Sequence, residues 1–195
     1  AVSRCDDRRI TWRMLSASGL FVPAQVEAGN AEHNTAFLRA HGCVVVKAVR
    51  RGLPHGTTRN VVDEPQLEQA ITRASAANSV ALIEQQVQGE ELHVVVIGDR
   101  VAAATLHERN DGASTFAARD VTDELPFELC ETARRAARAL ELPVLDVHLV
   151  VSSLREHGAH FIIDVNERPE LAAYHTQPTA ARFVDLLFPE TATKH

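Results

Sequence analysis

At 195 residues the chain is long enough for one substantial core, or for two small lobes sharing a cleft. Its 45% hydrophobic and 24% charged residues match a soluble globular protein, and a net charge of −6 argues against a broad nucleic-acid-binding face. No apolar run approaches the ~18–20 residues of a membrane span and no signal-peptide pattern opens the chain, so a cytoplasmic protein making no membrane contact is expected.

Residues 6–18 are predicted to form a helix. Asp6 or Asp7 caps it, Ile10, Met14 and Ala17 lie at helical spacing, and Gly19 ends it. An extended exit over 20–26 leads to a second helix over 31–40, with Gly42 just past its end. The run CVVVKAV at 43–49 is a nearly all-β-branched strand with Lys47 inside it. A lysine there either snorkels to water from an edge strand or is held as a cation to meet a phosphate. Residues 50–59, RRGLPHGTTR, are a basic loop whose glycines, Gly52 and Gly56, let backbone N–H groups fold over an anion; an ordinary surface loop has the same composition. A short strand at Val61-Val62 precedes a helix opened by Asp63 or Glu64 with Pro65, running to about Asn78.

The second half opens with strands at 79–86 and 91–97. Gly98-Asp99 reverses the chain into a strand at 100–105. Residues 107–124 lack periodicity and are expected to be loop. Residues 126–140 carry the clearest helical stripe, Leu129, Ala133, Ala136, Ala137 and Leu140. Pro178 starts a last helix carrying Ala181, Val184, Leu187 and Phe188. Hairpins in both halves make this an α+β protein, not a βαβ alternation. The three cysteines are scattered, which fits free thiols in a reducing compartment. The ten histidines show no HExxH or i, i+4 pair and are read as mostly surface residues without a zinc arrangement.

The stretch 143–169, PVLDVHLVVSSLREHGAHFIIDVNERP, predicts two strands joined at Glu156-His157-Gly158. Alternation puts Asp164 and Asn166 on one face, and Asp146 and His148 on one face of the partner. A carboxylate and an amide oxygen at i, i+2 suit a hard cation carrying phosphates; a strand ending in solvated polar residues has the same pattern.

The succession of a helix with DDRR-x-T, the VVVK strand, the glycine loop, VALIEQQVQGEELHVVVIGDRVAAA, an Ala-rich helix, PVLDVHLVV and FIIDVNERP resembles the ATP-grasp fold. Within that fold it is most similar to the carboxylate–amine ligase branch of cyanophycin and N-acetylglutaminylglutamine synthetases, and the tail NERPELAAYHTQPTAARFVDLLFP resembles the latter most. That resemblance implies two α+β lobes with mostly antiparallel sheets and a cleft between them, where ATP lies. Residues 1–195 would form one such domain, with 20–95 the smaller lobe and 1–19 with 96–190 the larger. It implies ATP and Mg²⁺ as cofactors, amino-acid or peptide-like carboxylate and amine substrates, and amide formation through an acyl phosphate. The family's preceding domain is absent from these residues, and a companion N-terminal domain or a second copy is the expected protein partner.

The resemblance gives Lys47 the role of the strand lysine at the ATP phosphates and sets Arg8 or Arg9, with Arg9 preferred, where an early lysine usually sits. Gly52 and Gly56 would cover the phosphates. Glu84, Gln85 and Val87 match the segment reading the adenine edge, and Glu91 the acid near the ribose. Asp164 and Asn166 match the Mg²⁺-holding pair, and Arg168 follows in the same NxRP motif as a catalytic candidate. His148 stands at the usual metal aspartate, with Asp146 two residues back as a substitute ligand. Pro54 thins the glycine loop, and His93 stands where relatives carry an arginine. An ATP- and Mg²⁺-dependent ligase domain is therefore expected, the alternative being a catalytically degenerate module that binds a nucleotide or a partner.

Overall fold

The computed structural model describes residues 5–50, 56–76, 80–108, 117–154, 158–169 and 179–188. Contacts divide the chain into a first unit, Ala1–Arg13 with Val22–Val87, and a second, Met14–Phe21 with Gln88–His195. The α+β class and antiparallel sheets are as expected.

In the first unit α1 (Arg8–Ala17) begins where Asp7 Oδ1 accepts from Arg9 N at 2.9 Å. The same turn is fastened to the sheet by Arg8 N donating to Val49 O at 3.1 Å and Arg8 Nη1 to Ala48 O at 2.8 Å. Four antiparallel strands, β1 (Gln25–Glu27), β2 (Val44–Ala48), β3 (Thr57–Val61) and β4 (Ala81–Gln85), lie in the order β1-β4-β2-β3. Two helices, α2 (Ala31–His41) and α3 (Glu64–Ala74), start at the side-chain caps Asn30 and Asp63. Gly42, at φ 71°, ends α2 in a conformation that costs glycine little. Leu38, Leu67, Ala70 and Ala74 pack on Val44, Val46, Ala48, Ala81 and Ile83, one face of the sheet. Val45, Lys47, Leu82 and Glu84 occupy the opposite face and are buried as well.

One expected boundary is corrected in this sheet. β3 begins at Thr57, inside the stretch expected to be loop. It is an edge strand of polar residues, so apolar alternation does not mark it. Its bulge at Asn60 (φ 58°) is clamped by Gln86, which accepts from Asn60 N and donates to Asn60 Oδ1, both at 2.6 Å. Residues 51–55, with Gly52, lie outside the described residues.

The second unit is a five-stranded antiparallel sheet ordered β7-β6-β5-β8-β9. The strands are β5 (Glu90–Ile97), β6 (Arg100–Glu108), β7 (Ala117–Asp120), β8 (Val144–Val151) and β9 (His160–Asn166). β7 and a 3-10 turn at Thr122–Glu124 occupy sequence expected to be loop. β7 too is an edge strand, four residues long and polar at its end. The helix α4 (Phe127–Leu140) buries the expected stripe, and its Thr132 Oγ1 lies 2.8 Å from His160 Nε2 on β9. A second helix, α5 (Thr179–Leu187), sets Phe183 and Leu186 against Val95, Ile97, Ala103 and Val144. The turn at Glu156-His157 and the helix start at Pro178 fall outside the described residues. Among the described residues no helix is long and apolar enough to cross a membrane.

Gly89 leads into β5 at φ 150°, and a Cβ there would fall against the Val151 carbonyl oxygen and 2.8 Å from Val150 Cγ1. Gly89→Ala should therefore cost at least the ~1–3 kcal/mol of the strained backbone. Chemical denaturation checks this; an unchanged midpoint would count against the β5–β8 pairing.

Candidate functional site

In the second unit, sheet register assembles a polar face. β8 pairs with β9 so that Asp146 faces Asn166 and His148 faces Asp164. A register shift between His148 and Leu149 confines that alignment to the strand end. The expected convergence of these four residues on one face is what the pairing produces. On the other side β8 pairs with β5, placing His93 opposite His148 and Val95 opposite Asp146. Glu91 precedes His93 by two residues on the same face, and β6 sets Thr105 opposite His93 and His107 opposite Glu91.

The side chains interlock. The rings of His93 and His148 stack with centroids 3.7 Å apart and planes 15° from parallel, and His107 lies 4.3 Å from His93. Asp146 Oδ2 lies 3.2 Å from His148 Nε2 and 3.8 Å from His93 Nδ1. On its far side His93 Nε2 lies 3.4 Å from Glu91 Oε1. Burial pushes His148 toward the neutral form, but the Asp146 hydrogen bond and the charges of Asp146, Asp164 and Glu91 outweigh it, so its pKa is raised. His107 is shifted down, by burial first and then by its proximity to His93. His107, among the histidines expected on the surface, thus joins His148, a candidate ligand, and His93, expected where relatives carry an arginine. Among the described residues, Glu91, His93 and His148 form a group able to hold a metal ion.

Asp164 and Asn166 have local partners. Asp164 Oδ1 accepts from Val165 N and Asn166 Oδ1 from Arg168 N, each at 3.0 Å. The Arg168 side chain is 87% exposed and its Nε lies 3.6 Å from Glu167 Oε1.

The first unit carries a different arrangement. Lys47 Nζ donates to Glu84 Oε1 at 2.6 Å, with both side chains 6% exposed. Glu84 Oε2 accepts from Gln25 Nε2 at 3.1 Å. Register explains this, because Glu84 pairs with Val45 on β2 and Gln25 on β1, so all three groups share a face. The edge-strand reading of Lys47 is corrected: β2 is an interior strand, and the ammonium meets a carboxylate instead of water. Gln85 N donates to Ala24 O at 2.9 Å, and Gly56 O accepts from Ala48 N at 2.6 Å. Val87 follows β4 at the end of the first unit. Arg9 pairs with Asp7 at 2.7 Å and Glu27 at 3.2 Å. That arginine's hydrogen bond holds the Asp7 carboxyl below its ordinary range and raises Arg9 in turn.

Solved structures share this architecture. The ATP-grasp ligase PsnB, complexed with a phosphomimetic variant of its minimal precursor, Mg and ADP, superposes with a TM-score of 0.72 at 18% identity, over 94% of this chain and 59% of that one. The D-alanine–D-alanine ligase from Bacillus anthracis gives 0.72 at 19% identity, over 95% and 66%. The fold is the ATP-grasp fold. Residues 21–190 match the family described as D-ala D-ala ligase C-terminus, and the chain belongs to that family. Curated relatives include D-alanine–D-alanine ligases of Xanthomonas axonopodis pv. citri, 28% identical over 93% of this chain and 61% of that protein, and of Desulforudis audaxviator, 31% identical over 94% and 65%. The chain spans less than two thirds of the length of these relatives.

Removing one member of a buried ion pair leaves the other charge uncompensated. Lys47→Ala is expected to destabilise the protein by about 3–5 kcal/mol, whereas the Lys47→Met, Glu84→Gln double variant, which removes both charges, should lose much less. Urea denaturation of the two variants checks this. Equal losses would contradict a coupled pair.

Proposed function

We propose that this chain is the nucleotide-binding part of an ATP-dependent carboxylate–amine ligase. Membership of the D-ala D-ala ligase C-terminus family across residues 21–190 is the observation that carries this reading. In the proposed reaction a carboxylate oxygen attacks the γ-phosphorus of ATP and ADP leaves. An amine then attacks the acyl phosphate carbon, phosphate leaves with the C–O bond electrons, and the amine gives up a proton to form the amide. Such catalysis consists of positioning and charge neutralisation.

Lys47 is the proposed phosphate cation, with its charge shared by Glu84. Arg9, Gly52 and Gly56 are the proposed further phosphate contacts, and Gln85, Val87 and Glu91 the nucleoside contacts. Arg168 is the proposed group steadying the transferred phosphoryl. Asp164 and Asn166 offer oxygen donors of the kind Mg²⁺ takes and would hold it, whereas the imidazole of His148 does not suit that ion. When bound, Mg²⁺ would neutralise phosphate oxygens. The likeness of the NERP tail to cyanophycin and N-acetylglutaminylglutamine synthetases supports an amino-acid or peptide-like carboxylate as substrate. A companion N-terminal domain or second copy is proposed to complete the amine site.

The second reading, a degenerate module that binds a nucleotide or partner without turnover, is favoured by the imidazole at His148. Calorimetric titration of ATP with and without Mg²⁺ separates the two. The ligase reading expects Mg²⁺-dependent binding, weakened about 10- to 100-fold in the Lys47→Met, Glu84→Gln double variant through loss of a charge-assisted contact. Absence of binding at millimolar nucleotide would overturn it.

A further inference from the structure

We infer that Glu91, His93 and His148 form a site for a borderline transition-metal cation of the Zn²⁺ or Co²⁺ class, with Asp146 as its positioning carboxylate. This inference shares Glu91 with the ligase reading and otherwise rests on different residues. One ligand atom from each of the three residues lies within 4.8 Å of the others. Tetrahedral coordination at about 2.0–2.1 Å requires ligand atoms about 3.3–3.4 Å apart, and the His93 and His148 rings, stacked 15° from parallel, must turn out of their stack for their in-plane lone pairs to converge on one ion. The backbone is already fixed. His93 and His148 are direct partners across β5 and β8, and Glu91 sits one step along the same face.

The chemistry of the donors selects the ion. Two imidazoles and one carboxylate are a set that zinc and its neighbours take, with positions left for water or a substrate atom. A hard ion such as Mg²⁺ wants oxygen and keeps its waters. Metal-bound histidines usually carry a partner on the other ring nitrogen, which fixes tautomer and orientation. Asp146 provides this for His148, at 3.2 Å from its Nε2, and lies farther from His93, at 3.8 Å from Nδ1. The coordinating atoms are then His93 Nε2, which already lies beside Glu91 Oε1, and His148 Nδ1. The three ligands are between 18% and 26% exposed, enough to admit an ion while shedding most of the water around it.

Stacked imidazoles held by two carboxylates could also be a structural contact only, and the experiment separates these outcomes. Tag-free protein is stripped with a chelator and titrated with Co²⁺ in the absence of nucleotide. The visible ligand-field spectrum is followed, and Zn²⁺ and millimolar Mg²⁺ serve as competitors. The expected result is one saturable equivalent per chain, displaced by Zn²⁺ and not by Mg²⁺. His93→Ala and His148→Ala should each abolish the saturable spectrum. Asp146→Asn, which leaves every ligand in place, should weaken binding about 10- to 100-fold. His33→Ala with His41→Ala, on α2, should leave it unchanged. Should the histidine variants fail to fold by circular dichroism, Glu91→Gln provides the same test with a smaller perturbation. Absence of a saturable spectrum, or one that survives all of the ligand variants, overturns the proposal. ATP binding by the same preparation is read separately, so either reading can fail without the other.

Discussion

Pairing of β5 with β8 runs from Glu90 opposite Val151 to Ile97 opposite Val144, and Glu91, His93, Asp146 and His148 take their places from that register. Strand side chains alternate with a period of two, so a slip of one residue would exchange the two faces entirely. Register is held by residues that take no part in chemistry. Leu92, Val94, Val96, Leu145, Val147 and Leu149 are fully buried on one face, and a slip would set Glu91, His93, Asp146 and His148 in their place. The apolar face therefore positions the polar one. The bulge after His148 has the same effect on β9, keeping Asp164 and Asn166 aligned while the strand beyond changes phase.

The two units handle buried charge differently. In the first, Lys47 and Glu84 neutralise one another at 2.6 Å, with Gln25 on the second carboxylate oxygen, so the pair is closely satisfied and nearly dry. In the second, the Asp146 carboxylate is met by imidazoles whose charge depends on pH and which also coordinate metals. A phosphate approaching Lys47 competes with an existing carboxylate. His93 and His148 are placed side by side by strand register, with their rings stacked face to face. The same fold thus holds one charge pair that is closed and one cluster of imidazoles and carboxylates that is not.

Much of the fold was legible because its signals are local. Asp63 and Gly42 mark helix ends by capping chemistry, α4 shows its stripe, and Gly98-Asp99 marks its hairpin. The edge strand β7 and all of β3 before Val61 are not legible, because neither buries a full face and so neither carries the alternation that identifies a strand. The site was legible only strand by strand. Asp146-x-His148, Glu91-x-His93 and Asp164-x-Asn166 each declare a shared face at spacing two. Which strands lie side by side is a non-local fact, and it alone turns three scattered histidines into a cluster and pairs Lys47 with Glu84, 37 residues away.

Viewed alone, His148 at a position where oxygen is expected would look like damage to a cation site. Its neighbours argue otherwise. A lone imidazole among oxygen ligands would leave one ring nitrogen facing a carboxylate by accident. Here Asp146 meets His148 and lies farther from His93, His93 stacks on His148, and Glu91 reaches the opposite edge of His93. Each of these features makes sense only with the others, and mutual consistency among neighbouring choices separates a built constellation from an eroded one. His148 is thus one member of a packed group with Asp146, His93 and Glu91, set side by side by a sheet register that the apolar face maintains.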